Sequence, residues 1–374
     1  MKILMLNALT DQSGSGVRFW SIGKELARLG HSVFFLERSI GKNRRGKRKG
    51  IEYRACLETG VLWLDILRAT LLNLFHGLLF RPDYVFALKP LPNSSIPALL
   101  LKYIFRTKII LDIDDLDFAY YPNKFRQNLV RYCFKLFPPC FDHITTHNRY
   151  LQSFITDEIG IPPRKIYFLA QGIETEQFVR AKPAERYRRQ WLIFPEDRVL
   201  VYSASLGITT DFNHVLPMLI ELLRSCDDIR VLVIGAGIRK PYFAKAVEAY
   251  GLQERMIFTG YVPHAEMPGV LKLARVGINY MAPTRANQCR ASIKVREYLA
   301  AGLDVVCNPV GDAELFRDYV TLCSSIEEFP DAIRKTLALK NREKIKGAQG
   351  YLERNYGWPG LVEDFLVHIT ESPR

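Results

Sequence analysis

The segment CRASIKVREYLAAGLDVVCNP, residues 289–309, reads as a helix running directly into a buried strand. Ser292 stands where an N-cap would, before IKVREYLAA, and Gly302 stands at the C-terminal stop. A serine oxygen can satisfy the free amides of a first turn, and glycine adopts the left-handed stop cheaply. DVVCNP is then a short β-branched run of the kind found inside a parallel sheet. The helix start offers N–H groups near Ser292, Ile293 and Lys294, and Lys294 adds a cation, so the place suits a diphosphate. Glu297 follows three residues later on a neighbouring part of the helix surface, where a carboxylate could accept two hydrogen bonds from a ribose 2′,3′-diol. A surface Lys–Glu pair on a capped helix would have the same pattern.

Outward from this segment, the same helix–strand rhythm fills the chain. KILMLNA, SVFFLE, YVFALK, KIILDI and HITTH read as strands in the first half, and RVLVYSAS, VLVIGAG, MIFTG, VGINYMAP and DVVCNP in the second. Amphipathic stretches separate them, which implies parallel sheets covered on both faces. Five to six strands per half make two doubly wound domains. The rhythm breaks at ETEQFVRAKPAERYRRQWLIFPED, so the boundaries are set at 1–180 and 181–357. Open α/β sheets bind ligands at the carboxyl ends of their strands, so an interdomain ligand cleft is expected.

The chain has 374 residues, a net charge of +13 and 48% hydrophobic residues, which exclude wholesale disorder. The basic excess is uneven, since 26 of the 52 Lys and Arg but only 16 of the 39 Asp and Glu fall in residues 1–180. Much of it lies in one run, Lys42, Arg44, Arg45, Lys47, Arg48 and Lys49, read as a solvated loop or a surface for phosphates or anionic lipid. The seven cysteines form no CxxC pair and lie at no metal spacing from a histidine, which points to free thiols in a reducing compartment. Residues 61–80 are apolar enough to suggest a membrane span, but Asp65 and Arg68 would each cost about 2.5–3.5 kcal/mol in lipid. They read as a soluble or surface-lying helix, and a cytoplasmic protein is expected.

Two strands end in glycine turns. Ser13, Gly14, Ser15 and Gly16 precede a helix whose first amides would favour a phosphate or sugar hydroxyls, with Arg18 within reach. Gly235 and Gly237 in VLVIGAGIRKP lack the third glycine of a dinucleotide fingerprint and read as a tight strand–helix turn.

SIKVREYLAAGLDVVCNPVG resembles the donor-binding helix of group-1 (family 4) glycosyltransferases of GT-B fold. SGSGVRFWSIGKELARLGHSVFFLE, the 144–178 stretch ending in QGIETEQF, MIFTGYVPHAEMPGVLKLARVGINYMAP and NYGWPGLVEDFL are similar to further family segments, in the family's order. The resemblance implies two facing Rossmann-like domains, an acceptor on the first and a nucleotide-diphosphate sugar on the second. The last helix, 358–374, would cross back onto the first domain. It implies that Glu297 holds the ribose and that Ser292, Ile293 and Lys294 hold the diphosphate. Gly260, Tyr261 and Val262, with Met281 and Pro283, would line the base and donor. No metal or other cofactor is implied. Cys289 occupies the place of a second family glutamate. The loop SASLGITTDFNH lacks the Arg and Lys of many relatives, leaving Gly207, Thr209 and Thr210, with Arg290 and Lys294, for phosphate. The family is commonly retaining.

In the first half, LDIDDLD sets Asp112, Asp114, Asp115 and Asp117 at a strand's carboxyl end. Crowded carboxylates raise one another's pKa, which suits Asp114 or Asp115 to activate an acceptor hydroxyl or to steady a cationic donor sugar. Helix capping, or a metal site, would use the same residues. His147 ends another strand and is read chiefly as structural. The diphosphate would leave as an anion held by helix amides and Lys294. Residues 120–141 interleave aromatic and basic side chains and, with the 42–49 run, fit an anionic lipid surface at the inner face of a cell membrane. The expected partners are a nucleotide-diphosphate sugar and a glycan or lipid-linked acceptor in envelope polysaccharide or glycolipid synthesis. Rival readings are a non-catalytic binding protein of the same fold and a nucleic-acid binder. The latter rests on charge alone, with no recognition motif, and nucleic acid is not an expected partner.

Overall fold

Buried β-branched runs alternate with amphipathic helices because each strand must be covered on both faces. The computed structural model describes residues 1–10, 13–39, 43–208, 210–339 and 342–371. It divides into two units, Met1–Gly172 with Trp358–Arg374, and Ile173–Gly357.

The first unit runs β1 (Lys2–Thr10), α1 (Gly14–Arg28), β2 (Ser32–Ser39), β3 (Arg44–Arg48), β4 (Ile51–Leu57), α2 (Leu62–Phe80), β5 (Tyr84–Leu88) and α3 (Pro92–Phe105). It continues β6 (Lys108–Asp112), α4 (Lys124–Leu136), β7 (His143–Thr146), α5 (Arg149–Ser153) and β8 (Ile166–Phe168). The sheet order is β3-β4-β2-β1-β5-β6-β7-β8, with only the β3–β4 pair antiparallel. Strand order reverses between β1 and β5, the switch point at which such sheets open a crevice.

The basic run forms part of the sheet. Lys49 and Gly50 both have positive φ, 50° and 85°, and turn β3 back onto β4 as a two-residue hairpin. Ile51 and Ala55 of β4 are buried, which anchors the pair, while Arg45, Lys47, Arg48 and Lys49 stay exposed. Lys42 lies outside the described residues. The hairpin and β8 were missing from the sequence reading and bring this sheet to eight strands.

The second unit runs α6 (Thr175–Arg180), α7 (Glu185–Gln190), β9 (Arg198–Ser203), α8 (Phe212–Ser225), β10 (Ile229–Ile234), α9 (Lys240–Glu248), β11 (Met256–Gly260) and α10 (Met267–Leu271). It continues β12 (Val276–Asn279), α11 (Arg285–Gln288), α12 (Ile293–Ala301), β13 (Asp304–Cys307), β14 (Thr321–Leu322), α13 (Phe329–Ala338) and α14 (Arg342–Tyr356). The all-parallel order β11-β10-β9-β12-β13-β14 reverses between β9 and β12. The final helix, α15 (Trp358–Glu371), belongs to the first unit, where Trp358, Val362 and Phe365 join Phe19, Phe35 and Phe86 in one core. A Cβ on Gly172 would meet the Trp358 ring at 2.4 Å, so only glycine admits this approach.

The division falls earlier than 180/181. Ile173 bridges to Gly357, and α6 buries Phe178 while packing on α12 and α14, so residues 173–180 belong to the second unit. All seven cysteines are free thiols, and Cys133, Cys289, Cys307 and Cys323 are buried.

Candidate functional site

In the second unit, the loops after β9 and β12 flank the switch point, and α12 begins beside them. Tyr298 of α12 accepts the Ser203 amide at 2.8 Å, and Lys294 Nζ lies 5.8 Å from the centre of the Tyr202 ring. These contacts seat the first turn of α12 against the end of β9. Ser292 occupies the N-cap position, but its side chain makes no capping bond. Its hydroxyl instead donates to Asn279 Oδ1 at 3.1 Å, because that buried oxygen at the end of β12 needs a donor. Its own amide donates to Asp312 at 2.9 Å. The first amides inside α12 are therefore not taken up by their own cap.

Burial, and then the neighbouring Arg290 charge, push the Lys294 ammonium down to about 8, against the opposing pull of Asp211 and Glu297. Glu297 is buried and bonded to His264 Nε2 at 2.9 Å. Lys294 is half-buried, so the pair is not the exposed surface pair that the spacing also allowed. Around them, Asn287 donates to Asp211 at 3.2 Å and Arg290 donates to Asn287 at 3.0 Å.

The glycine turn after β10 is a packing device, as its missing third glycine indicated. A Cβ on Gly235 would sit 1.8 Å from the Ala204 carbonyl oxygen, and one on Gly237 would sit 2.2 Å from the Leu206 carbonyl. Their absent side chains let the 204–207 backbone cross the sheet end.

In the first unit, residues following β1, β5, β6 and β7 converge on one sheet edge. Ser13 caps α1, accepting the Gly16 amide at 2.9 Å, and a Cβ on Gly14 would meet none of the described residues within 4 Å. Lys89, directly after β5, is buried in a left-handed conformation with φ 65°. Its Nζ lies 2.9 Å from Asp114 Oδ1 and 2.6 Å from Asp117 Oδ1. Burial alone would discharge this lysine, but Asp114, Asp117 and Asp115 outweigh it and hold its pKa well above the ordinary value. Burial likewise pushes Asp114 up, yet Lys89, His147 and a Ser15 hydrogen bond reverse this, holding the carboxyl well below the usual range. Asp117 moves the other way, raised by burial and by the Asp114 charge against Lys89.

Two family models match consecutive parts of the chain. The model described as Glycosyltransferase Family 4 matches residues 12–177, and the model described as Glycosyl transferases group 1 matches residues 197–338. The chain belongs to the group-1 glycosyltransferases.

Among curated relatives of this glycosyltransferase, 2-deoxystreptamine glucosyltransferase of Streptomyces kanamyceticus is 26% identical over 34% of the chain. A phosphatidylinositol N-acetylglucosaminyltransferase subunit of Arabidopsis thaliana is 24% identical over 60%. The chain spans only 34% and 46% of the length of these two relatives. Sucrose-phosphate synthase from Thermosynechococcus elongatus superposes with TM-score 0.78 at 11% identity, covering 99% of both chains. Anabaena HepE in complex with UDP gives 0.72 at 12% identity over 99% of this chain and 100% of that one. WaaG, a glycosyltransferase involved in lipopolysaccharide biosynthesis, gives 0.73 at 16% identity over 100% of both. The two Rossmann-like units are those of the GT-B fold.

Several residues singled out from sequence are committed elsewhere in the glycosyltransferase. Arg18 does not reach a ligand at the glycine loop. It is buried, with its guanidinium on Asp112 at 3.1 Å and on the Leu169 and Ala170 carbonyls at 2.8 and 2.9 Å, because helix geometry turns it inward. The carboxylates do not all raise one another, because the Lys89 ammonium offsets Asp114 and the Arg18 guanidinium offsets Asp112. Asp114 therefore stays ionised and is unsuited to take a proton near neutral pH. Asp115 is half-buried and bonded by Tyr120 at 3.3 Å.

Thr210 accepts the Phe212 amide at 3.2 Å at the start of α8, and Thr209 lies outside the described residues. Among the described residues, the Ser205 hydroxyl, at 3.8 Å, is what a Cβ on the half-buried Gly207 would meet. Tyr261 and Pro283 are exposed, whereas Val262 and Met281 are buried. Both backbone groups of Met281 are bonded to Asn308, at 3.0 and 2.7 Å. Gly260 keeps φ 79° with Lys240 Nζ 3.6 Å from its Cβ position. Cys289 is buried.

Lys89 and His264 join the two clusters without having stood out in the sequence. A lysine closing the apolar run YVFAL was the available signal for Lys89. His264 stands two residues beyond the 260–262 turn.

Proposed function

We propose that this glycosyltransferase moves a sugar from a nucleotide-diphosphate donor to a glycan or lipid-linked acceptor, with retention and without a metal. The observation that carries the reading is the start of α12, where uncapped amides and Lys294 meet a buried Glu297. Amides and ammonium stabilise the departing diphosphate, and Glu297 accepts from the ribose diol. Asp114, ionised beside Lys89 and bonded by Ser15, stabilises positive charge on the sugar more readily than it removes a proton. Asp115 is the remaining candidate for receiving the acceptor's proton.

HepE was solved with UDP, which puts uridine first among the bases to test. The names of WaaG and of the phosphatidylinositol N-acetylglucosaminyltransferase relative support a lipid-borne acceptor in envelope polysaccharide or glycolipid synthesis. The exposed Lys124, Phe125, Arg126, Arg131, Tyr132 and Lys135 of α4 support a cytoplasmic protein peripheral to the inner membrane face. Phe134 and Phe137 of the same stretch are buried and belong to the core.

A thermal-shift screen with UDP, GDP, ADP, TDP and CMP, with and without EDTA, tests the reading. A ligand at about 100 times its dissociation constant adds about 2.7 kcal/mol of stability. The expected result is a selective shift that EDTA leaves unchanged. Absence of a shift with every nucleotide in folded protein refutes the donor site, and loss of the shift in EDTA refutes metal independence.

A further inference from the structure

Helix α2 is amphipathic in the reverse sense for a water-facing helix. Its inward face carries Asp65, Ala69, Asn73 and Gly77, all buried. Asp65 accepts the Thr59 amide and hydroxyl at 2.7 Å each and the Gly60 amide at 3.1 Å, while Asn73 donates to the Asn93 carbonyl at 2.8 Å. A Cβ on Gly77 would come within 2.5 Å of Leu101, so the small inward residues let α2 sit close to α3. Asp65 and Asn73 thus find hydrogen-bond partners inside the unit.

The outward face carries Trp63, Leu67, Leu71, Phe75 and Leu79, one per turn and each more than half exposed. Helix α3 extends this face with Ile96, Leu100, Tyr103 and Ile104. An apolar surface of this length is far beyond the scattered exposed hydrophobics of an ordinary water-facing surface. α2 is also long and apolar enough to cross a bilayer by composition, yet it is tied to its unit through its polar side.

Charge indicates what covers the face. α2 and α3 both connect parallel strands, so they run in the same direction and end at the same sheet edge. The residues directly after them, Arg81 and Arg106, are exposed there in left-handed cap positions, with Lys2 beside Phe80. On the opposite flank the exposed Arg54 of β4 is close enough to His76 of α2 to lower its pKa, after the larger effect of burial. A greasy ridge rimmed by arginines matches a bilayer with anionic headgroups, where tails meet the ridge and phosphates meet the guanidiniums.

We infer that the α2–α3 face inserts into the outer hydrocarbon of an anionic phospholipid bilayer, anchoring the first unit as a surface-lying, non-spanning element. This deepens the membrane-peripheral reading above and rests on it. The anchor is distinct from the basic-aromatic α4, and its contribution is chiefly hydrophobic.

Flotation of the full chain with phosphatidylcholine vesicles, with and without phosphatidylglycerol, tests it. Trp63 is exposed while Trp20, Trp191 and Trp358 are buried, so a blue shift of tryptophan emission on adding vesicles reports on α2. The triple variant Leu67→Gln, Leu71→Gln, Phe75→Gln changes only exposed side chains and should lower the partition coefficient about a hundredfold. Arg81→Gln with Arg106→Gln should weaken the preference for phosphatidylglycerol, with Lys2, Arg54 and α4 keeping the remainder, and leave the apolar part of binding. Equal partitioning of the triple variant and the wild type overturns the inference. So does a wild-type dimer that the triple variant converts to monomer, because the face would then be an interface between two copies of the chain. The UDP thermal shift of the same proteins is read in parallel. Vesicle binding without a nucleotide shift overturns the donor reading alone, and a nucleotide shift without vesicle binding overturns the anchor alone.

Discussion

Replacing Lys294 with methionine should raise stability and lower donor affinity in the same variant. The ammonium's pKa falls from the ordinary 10.5 to about 8, chiefly because of burial, so the fold disfavours its charge. At 1.36 kcal/mol per pKa unit the penalty is about 3 kcal/mol, and half-burial reduces it to roughly 1–2 kcal/mol after solvent screening. Methionine keeps the aliphatic stem and removes the charge, so urea denaturation of the free protein at pH 7 should show a gain of that size. The unfolded chain keeps this lysine protonated to about pH 10.5, so wild-type stability should rise with pH between about 8 and 10.5. The variant should lack that rise.

Nucleotide binding should change in the opposite direction. A diphosphate prefers the charged lysine, so UDP affinity should fall by roughly 25-fold between pH 7.5 and 9.5, as the protonated fraction drops around a pKa of about 8. Titration calorimetry at pH 8 in buffers of different ionisation enthalpy should find about half a proton taken up per UDP. In Lys294→Met the pH slope and the proton uptake should both vanish. A variant that loses stability while keeping its UDP affinity and pH slope would refute the assignment of this ammonium to the diphosphate.

Glu297→Ala should weaken UDP binding by about 10- to 100-fold, the scale of one charge-assisted hydrogen bond, with little change in the unfolding midpoint. Unchanged UDP affinity, by calorimetry, removes the ribose assignment. Lys89→Met leaves the buried Asp114 and the half-buried Asp117 without their cation and should cost about 3–5 kcal/mol at pH 7. Because the folded Asp114 pKa is depressed, its contribution is present above the unfolded carboxylate value near 4 and lost as pH falls below that. The deficit of Lys89→Met should therefore shrink towards pH 3, and a deficit that stays constant with pH contradicts the ion-pair account.

Local pattern carried much of this protein. Strand runs such as KIILD and VLVI, the stop at Gly302 and the helices between them follow from side-chain period and glycine conformation, which depend only on near neighbours. The family likewise followed from motifs whose order survives in one dimension. Where a charge ended up did not follow, because that depends on partners far along the chain. Arg18 and Asp112 are 94 residues apart, and Lys89 and Asp117 are 28 apart. Only their convergence on one sheet edge shows that Arg18 is structural and that Asp114 stays ionised. The apolar 61–80 segment makes the same point. Its charged residues argued for a soluble or surface-lying helix, and only the fold showed that Asp65 and Asn73 face inward while Leu67, Leu71 and Leu79 face outward. Sequence fixes what each residue can do; burial and distant partners, which exist only once the chain has folded, decide which charges are neutralised and which faces remain uncovered.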